Sequence, residues 1–214
     1  ADVVMISDTT MYDYERPAIG YGLRGLVYME IQIEGPNKDL HSGGYGGSVA
    51  NPLNILSGII SEMIDSDGRI AIPGFYDDVV PLKDTEGAAF TALAFSEDEY
   101  AERLGVAELK GEKGYSTLER IWARPTLDVN GLLGGFTGEG SKTVIASKGM
   151  AKVSMRLVPN QDPEVIAQAF EAYVKKLVPS SVKINILRHG TGKPILTPRD
   201  HPAVKAVDQA ITQG

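Results

Sequence analysis

The chain has 214 residues, of which 43% are hydrophobic and 23% are charged, a composition typical of a globular domain. Its formal net charge of −7 argues against a nucleic-acid partner and against docking on an anionic membrane, because both require a basic surface. No apolar run approaches the ~18 residues of a membrane span. Cysteine is absent, which excludes disulfides and thiolate zinc ligands. We therefore expect a cytoplasmic protein.

Both ends of the sequence carry apolar patterns that lack an obvious partner within the chain. It opens on the β-like run Val3–Ile6 without an initiator methionine and closes on a helical pattern over Ala203–Thr212. Natural chains usually begin and end on exposed polar segments. The pattern predicts a segment of a larger protein, with a processed or trimmed terminus as the alternative.

The first half of the sequence predicts one strand, one helix and an insertion. Apolar and polar residues alternate over Leu26–Ile33, which indicates a half-buried strand. A glycine-rich loop follows over 35–47, and Asn51, with proline next to it, is typical of a helix start. Residues 70–122 contain only short motifs, which predicts an insertion with a helix near Glu97–Leu104.

The second half predicts a strand at Leu127–Leu132, one long strand over Val144–Leu157, a helix capped by Asp162 and a strand at Val182–Leu187. The order of elements is then strand, helix, insertion, strand, strand, helix, strand. This order favours the α+β class: a βαββαβ two-layer sandwich of the ferredoxin-like kind, with helices on one face of an antiparallel sheet.

His41 is the first candidate for chemistry. It lies in the glycine-rich stretch DLHSGGYGG, where a bent loop could present one imidazole to a carbonyl oxygen. A plain turn with a surface histidine is the alternative. A serine hydrolase using Ser42 is remote, because no third group orients the adjacent pair. The glycine spacing also fails the phosphate-binding patterns.

Four other residues are candidates for binding. Asp8 follows the first apolar run and could bind a metal, or it could cap a turn. Arg156 interrupts an apolar strand, and its guanidinium suits a carboxylate, although it could simply face outward. Thr143 and His189 complete the set. A catalytic zinc usually needs three protein ligands, so the chain has no complete metal site.

Four sequence blocks, in order, resemble the carnosinase-like dipeptidases of peptidase family M20, which also contains carboxypeptidase G and succinyl-diaminopimelate desuccinylase. The resemblance covers essentially the whole chain. The blocks are YGLRGLVYMEIQIEGPNKDLHSGGYGGSVANP, GRIAIPGFYDDV, RPTLDVNGLLGGFTGEGSKTVIAS and AKVSMRLVPNQDP.

The resemblance implies roles for the five candidates. Asp8 matches a metal ligand, and His41 matches a lid histidine that reaches the partner subunit's active site and stabilises the tetrahedral intermediate. Arg156 matches the residue that binds the substrate's terminal carboxylate, and Thr143 and His189 match further substrate contacts. The larger enzyme would use two divalent ions, zinc or manganese, to activate a water. It would act on small peptides as a homodimer.

The resemblance also implies domain boundaries. Residues 1–17 would end a split catalytic domain, 18–194 would form the lid, or dimerisation, domain with an insertion at about 70–122, and 195–214 would return to the catalytic domain. The 214 residues alone are then expected to be inactive. The alternative is a stand-alone dimerisation or peptide-binding module without chemistry.

Overall fold

A computed structural model of the chain describes Val4, Ile6, Tyr12, Asp13 and residues 16–213. Its strands in the described residues are β1 (Gly22–Leu23), β2 (Gly25–Glu34), β3 (Leu40–His41), β4 (Thr126–Gly134), β5 (Val144–Ile145), β6 (Lys148–Leu157), β7 (Lys183–Gly192) and β8 (Ile195–Leu196). Its helices there are α1 (Ser42–Tyr45), α2 (Pro52–Ser61), α3 (Asp84–Thr91), α4 (Glu97–Leu104), α5 (Thr117–Trp122), α6 (Pro163–Leu177) and α7 (Pro202–Gln213).

The central sheet has four antiparallel strands in the order β4-β6-β2-β7. This order places the first and third long strands side by side, which is the ferredoxin-like βαββαβ arrangement that the sequence predicts. Two short ladders, β1 with β8 and β3 with β5, lie outside the sheet. The predicted fold class is confirmed.

The core lies between one face of this sheet and helices α2 and α6. Alternate residues of β2 are fully buried there, as are Phe170 and Val174 of α6. Both helices start as predicted, because Asn51 Oδ1 accepts a hydrogen bond from a first-turn amide, and Asp162 Oδ1 does the same. The opposite face of the sheet, which we call the open face, carries Leu26, Tyr28, Glu30, Gln32, Lys152, Ser154 and Arg156.

The predicted insertion contains helices α3, α4 and α5. Its first part belongs to the main core, since Ile70, Ile72 and Phe75 are buried in it. Its end is fixed by a buried pair in which the Arg124 guanidinium donates two hydrogen bonds of 2.7 Å to the Glu112 carboxylate. The insertion is therefore packed against the sandwich and does not form a separate unit.

The prediction of one strand over Val144–Leu157 is wrong, because the chain leaves the sheet at Ser147. The Ser147 amide donates to Asp39 Oδ1 at 2.8 Å, and its carbonyl accepts from the Gly35 amide at 2.9 Å. These bonds turn the preceding residues away, so β5 pairs with β3 and only β6 belongs to the sheet.

Other boundaries differ by smaller amounts. The glycine-rich stretch 35–47 contains β3 and α1, whereas the sequence predicts only a loop. Strands β4 and β7 extend past their predicted ends, and both contain a register shift. Of the predicted run Val3–Ile6, only Val4 and Ile6 lie within the described residues, and both are exposed and in no strand. Each helix in the described residues is too short or too polar to cross a bilayer.

Candidate functional site

Two predicted site residues, His41 and Thr143, lie together. The pairing of β3 with β5 sets His41 opposite Val144, and the Ser42 amide donates to the Thr143 carbonyl at 2.9 Å. Thr143 Oγ1 and His41 Nε2 then share a hydrogen bond of 3.0 Å. Residues 102 positions apart in the sequence therefore form one exposed imidazole–hydroxyl pair.

Gly43 lies directly against the His41 imidazole. A Cβ atom at this position would lie 2.6 Å from His41 Cε1 and 3.0 Å from His41 Nδ1. Non-bonded carbon atoms normally stay about 3.5–4.0 Å apart, so any side chain here would displace the ring. The neighbouring Gly44 has open space around it. The absence of a side chain at Gly43 therefore leaves the space that the His41 imidazole occupies.

Asp39 anchors the same loop. Its Oδ1 accepts hydrogen bonds from the Ser147 amide at 2.8 Å and from Ser147 Oγ at 2.9 Å. The bond from the amide, followed by that from the hydroxyl, lowers the pKa of Asp39 from its ordinary 3.8. The carboxylate is therefore ionised at neutral pH and ties the start of β6 to the residues just before His41.

The side-chain hydrogen bonds of the described residues do not connect Ser42 with His41, whose Nε2 bonds with Thr143. A nucleophilic serine needs a base within about 3 Å of its hydroxyl. The serine hydrolase alternative therefore gains no support from this geometry.

Arg156 lies near the end of β6, on the open face and beside the start of β2. It is exposed, and it is opposite Leu26 in β2 and Thr126 in β4. No carboxylate in the described part of the chain is within ion-pairing distance of its guanidinium. The side chain thus faces outward, and its guanidinium remains available to a carboxylate.

His189 also lies on the open face, beside the bulge in β7. Its Nε2 is 2.8 Å from Glu30 Oε2, and its ring makes an edge contact with Tyr28 at a centroid distance of 5.9 Å. Glu30 is buried and also accepts a bond of 2.7 Å from Gln32. Hydrogen bonds from Gln32 and then His189 lower the pKa of Glu30. His189 is therefore held by the sheet itself.

The two groups of site residues lie at opposite ends of the sheet. Arg156 pairs with Leu26 near one end of β2, and Lys148 pairs with Glu34 at the other. Arg156 is eight residue steps along β6 from Lys148, which corresponds to roughly 26 Å at about 3.3 Å per step. His41 and Thr143 lie beyond the Lys148 end. A dipeptide spans only about 7 Å, so it cannot touch both groups within one chain.

The predicted metal ligand Asp8 lies outside the described residues. Among the residues that are described, no cluster of three or more His, Asp or Glu side chains could hold a metal ion. These residues do not form a metal centre by themselves, so the chemistry open to them is binding and charge stabilisation. A cleft of about 1570 Å³ lies between residues 12–24, the insertion, residues 158–160 and residues 195–200. Its lining includes Arg24 but none of the four described candidates.

Two residues close to the candidates, Gly43 and Arg24, were not predicted from the sequence. The signal for Gly43 was its position two residues after His41 in a turn. The signal for Arg24 was a charge inside the apolar run GLRGLV. Antiparallel pairing brings this run beside the strand segment that carries Arg156, because Leu26 and Arg156 are partners.

The fold defines a class, a βαββαβ two-layer domain with an antiparallel sheet. The family model described as the peptidase dimerisation domain matches residues 21–182. The chain therefore belongs to the M20 peptidase dimerisation-domain family, as the sequence resemblance predicts.

Similar proteins carry enzyme names. The chain is 38% identical over 177 residues to the Cys-Gly metallodipeptidase dug1 of Schizosaccharomyces pombe, covering 83% of this chain and 37% of that protein. It is 33% identical to the human Beta-Ala-His dipeptidase, covering 77% and 32%. The crystal structure of the M20 family metallo-carboxypeptidase Sso-CP2 from Sulfolobus solfataricus matches with a TM-score of 0.86 and 34% identity, covering 96% of this chain and 53% of that one. The chain thus spans a third to about half of the length of these proteins.

Proposed function

We propose that this chain is the lid and dimerisation domain of a two-metal dipeptidase or carboxypeptidase-like hydrolase. The enzyme would cleave an amide bond next to a free C-terminal carboxylate. Three relatives named as metallodipeptidase, dipeptidase and metallo-carboxypeptidase support the reaction class. The unpaired guanidinium of Arg156 supports the carboxylate, since a planar guanidinium binds a carboxylate through two hydrogen bonds.

The separation of the two ends carries the proposal that His41 acts on the partner subunit's substrate. His41 and Arg156 are too far apart to hold one dipeptide within a single chain. If both contact the same substrate, they must come from different subunits. A two-fold dimer provides this arrangement twice, once in each active site.

The edge strand β4 is the proposed dimer contact. It exposes Leu132 and Leu133, each 63% accessible, and Phe136 follows it at 44%. The other edge, β7, is mainly polar. An exposed apolar edge strand favours pairing with another strand. If β4 pairs with its own copy about a centre midway along the strand, the two sheets run in opposite directions. The His41 end of one subunit then lies beside the Arg156 end of the other.

The roles of the individual residues follow from this arrangement. His41, oriented by Thr143, would stabilise the negative charge that develops on the scissile carbonyl oxygen. Arg156 would hold the terminal carboxylate, and His189 would make a further substrate contact from the open face. Asp8 would be one of the residues that hold the two divalent ions, zinc or manganese, and these ions would supply an activated water for the hydrolysis. We keep the cytoplasm as the expected compartment and small peptides as the only other partners.

Subunit complementation tests the proposal. Full-length His41→Ala and Arg156→Ala proteins are each expected to be nearly inactive as homodimers. After the two are mixed, unfolded and refolded together, half of the dimers contain one of each subunit. In a mixed dimer one site keeps both residues and the other site loses both. We expect turnover to recover to roughly one quarter of the wild-type value, from one intact site in every second dimer.

The matched control mixes His41→Ala with Thr143→Val. These two residues serve the same site from the same subunit, so every site in the mixed dimer carries a lesion and no recovery is expected. Recovery only in the first mixture supports action across the dimer. If neither mixture recovers although mixed dimers are present, His41 does not act across the dimer.

We also propose that the 214 residues alone do not hydrolyse peptides, because most of the residues that would hold the metals belong to the rest of the proposed enzyme. Metal-dependent turnover by the purified 214-residue polypeptide contradicts this. The size of the native protein in its source cells separates the enzyme from a stand-alone binding module. A band at roughly twice the domain's mass or more favours the enzyme, since the chain covers 37%, 32% and 53% of the three relatives.

A further inference from the structure

Arg24 contains a buried nitrogen without a hydrogen-bond partner. In the described part of the chain, Nη1 of Arg24 is the only buried side-chain nitrogen or oxygen in this condition. More than nine in ten buried polar groups in proteins have a partner, and leaving one without a partner costs free energy. The Arg24 guanidinium is therefore either in a strained arrangement or able to donate a hydrogen bond to an acceptor from outside the described residues.

A second positive charge lies next to it. Arg24 immediately precedes β2, whose second residue, Leu26, pairs with Arg156. Burial and then the charge of Arg156 lower the pKa of Arg24, while Asp128 in β4 acts in the opposite direction. Asp128 nevertheless forms no ion pair with either arginine among the described salt bridges. Two like charges thus lie together with Asp128 nearby, but without an ion-paired carboxylate among the described residues.

Two other buried or half-buried arginines are satisfied by the chain's own carboxylates. Arg124 is paired with Glu112, and Arg188 is paired with both Glu164 and Glu171. The fold therefore supplies acidic partners where an arginine has a structural role. At the Arg24–Arg156 position it supplies none within the described residues.

We propose that Arg24 is a second substrate-binding arginine and that it holds the terminal carboxylate of the peptide together with Arg156. This inference rests on the proposed role of Arg156. A carboxylate can accept about four hydrogen bonds, and two guanidinium groups can provide them all. The anion would also remove the repulsion between the two arginines and satisfy the buried nitrogen. The substrate class that this pair selects is a peptide with a free, ionised C-terminus.

The experiment compares two substrates of the metal-loaded, dimeric full-length enzyme. One is a dipeptide with a free carboxylate, and the other is the same dipeptide with a C-terminal amide. We expect Arg24→Ala to raise KM for the free dipeptide roughly 10- to 100-fold, the usual effect of losing a hydrogen bond to a charged group. The kinetics on the amide should stay within about two-fold of wild type, because the amide has no charge to lose.

Two further variants separate binding from a structural role. Arg188→Ala removes a positive charge that is paired with Glu164 and Glu171 of α6, on the opposite face of the same sheet, and it should leave the preference for the carboxylate unchanged. Arg24→Lys keeps the charge without the fork of donors, so it should recover part of the preference, and it replaces the alanine variant if that one fails to fold. An equal loss on both substrates in Arg24→Ala and Arg24→Lys overturns the proposal, because it indicates a structural role.

Arg156→Ala tells the two proposals apart. If Arg156→Ala keeps the full preference for the free carboxylate, the proposed role of Arg156 is wrong, and this inference is wrong with it. If Arg156→Ala loses the preference and Arg24→Ala keeps it, only the assignment of Arg24 is overturned. If both lose it, the double variant should lose less than the product of the two single effects, because neighbouring residues that share one ligand are not additive.

Discussion

The two ends of the central sheet are built in different ways. At one end, Arg156 lies on β6, a central strand that is paired on both sides and backed by the core. At the other end, His41 belongs to a two-residue strand outside the sheet. Its surroundings are held together by its hydrogen bond with Thr143 and by the bond that Asp39 accepts from the Ser147 amide. One end is fixed by the fold, and the other depends on a few polar contacts.

This difference matches the two kinds of work that we propose. A group that binds a carboxylate gains from a rigid support, because its donors must keep one orientation. A group that must reach the active site of another subunit gains from a short loop that can adjust when the dimer closes on a substrate. One domain can thus supply a fixed and an adjustable contact if they lie at opposite ends of the same sheet.

The largest effect is expected from the core on which both ends depend. Phe170 of α6 is fully buried against the sheet, so Phe170→Ala should lower the free energy of unfolding by about 3–5 kcal/mol. Urea unfolding of the 214-residue chain measures this. Val165→Ala on the exposed side of the same helix is the control and should change it by about 0.5 kcal/mol or less. A loss of similar size in both variants would contradict the buried position of Phe170.

The second-largest effect is expected from a variant that disrupts the proposed dimer contact at β4. Leu133→Asp places a charge on the exposed apolar edge of β4, and we expect it to give a monomer in sedimentation velocity. Turnover of the full-length enzyme should then fall as far as in His41→Ala, about 10²- to 10³-fold, since the partner's histidine is lost. Val165→Asp adds the same charge on an exposed position of α6 and should remain a dimer. A fully active Leu133→Asp monomer would exclude action across the dimer.

Much of the rigid part was predictable from the sequence, because long strands and capped helices leave a period that can be recognised. The alternation over Leu26–Ile33 and the caps at Asn51 and Asp162 all predicted elements that the structure contains. The short ladder of β3 and β5 was not predictable in this way. Two-residue strands have no period, and their pairing depends on contacts between residues about a hundred positions apart.

For the site residues, the sequence indicated their identity but not their contacts. His41, Thr143, Arg156 and His189 were chosen by residue type and family resemblance, but that choice did not reveal which of them lie together. The contact of His41 with Thr143 and the one of His189 with Glu30 required the folded structure. Arg24 was missed because nothing in a single sequence distinguishes a satisfied arginine from one with a buried free nitrogen.

A smaller effect tests the adjustable end alone. Gly43→Ala would place a Cβ atom 2.6 Å from His41 Cε1 and displace the imidazole. A misplacement of about 1 Å can cost up to about 100-fold in rate, so we expect a loss of turnover of that order without a change in dimer mass. Gly44→Ala is the matched control, because the space beside Gly44 is open and both residues lie in α1. If the two variants lose turnover equally, the effect comes from the helix and not from the ring.

The smallest effect is a pH dependence of the middle of the sheet, where Glu30 of β2 accepts hydrogen bonds from Gln32 and His189. Because its pKa is below the ordinary 4.5 in the folded chain, the unfolded chain takes up the proton first as the pH falls. The stabilisation is therefore complete above about pH 4.5 and is lost as the pH falls through the folded value.

Glu30→Gln removes this carboxylate, so its unfolding midpoint should fall less between pH 6 and pH 3 than that of the wild type. Exposed Glu102 on α4 provides the control, and Glu102→Gln should keep the wild-type dependence. Asp39→Asn makes the same test at the His41 end, where the ordinary pKa is 3.8 and the loss should begin at lower pH. If Glu30→Gln follows the wild type at every pH, the carboxylate does not stabilise the sheet, and the stability of the sheet comes from strand pairing and the core alone.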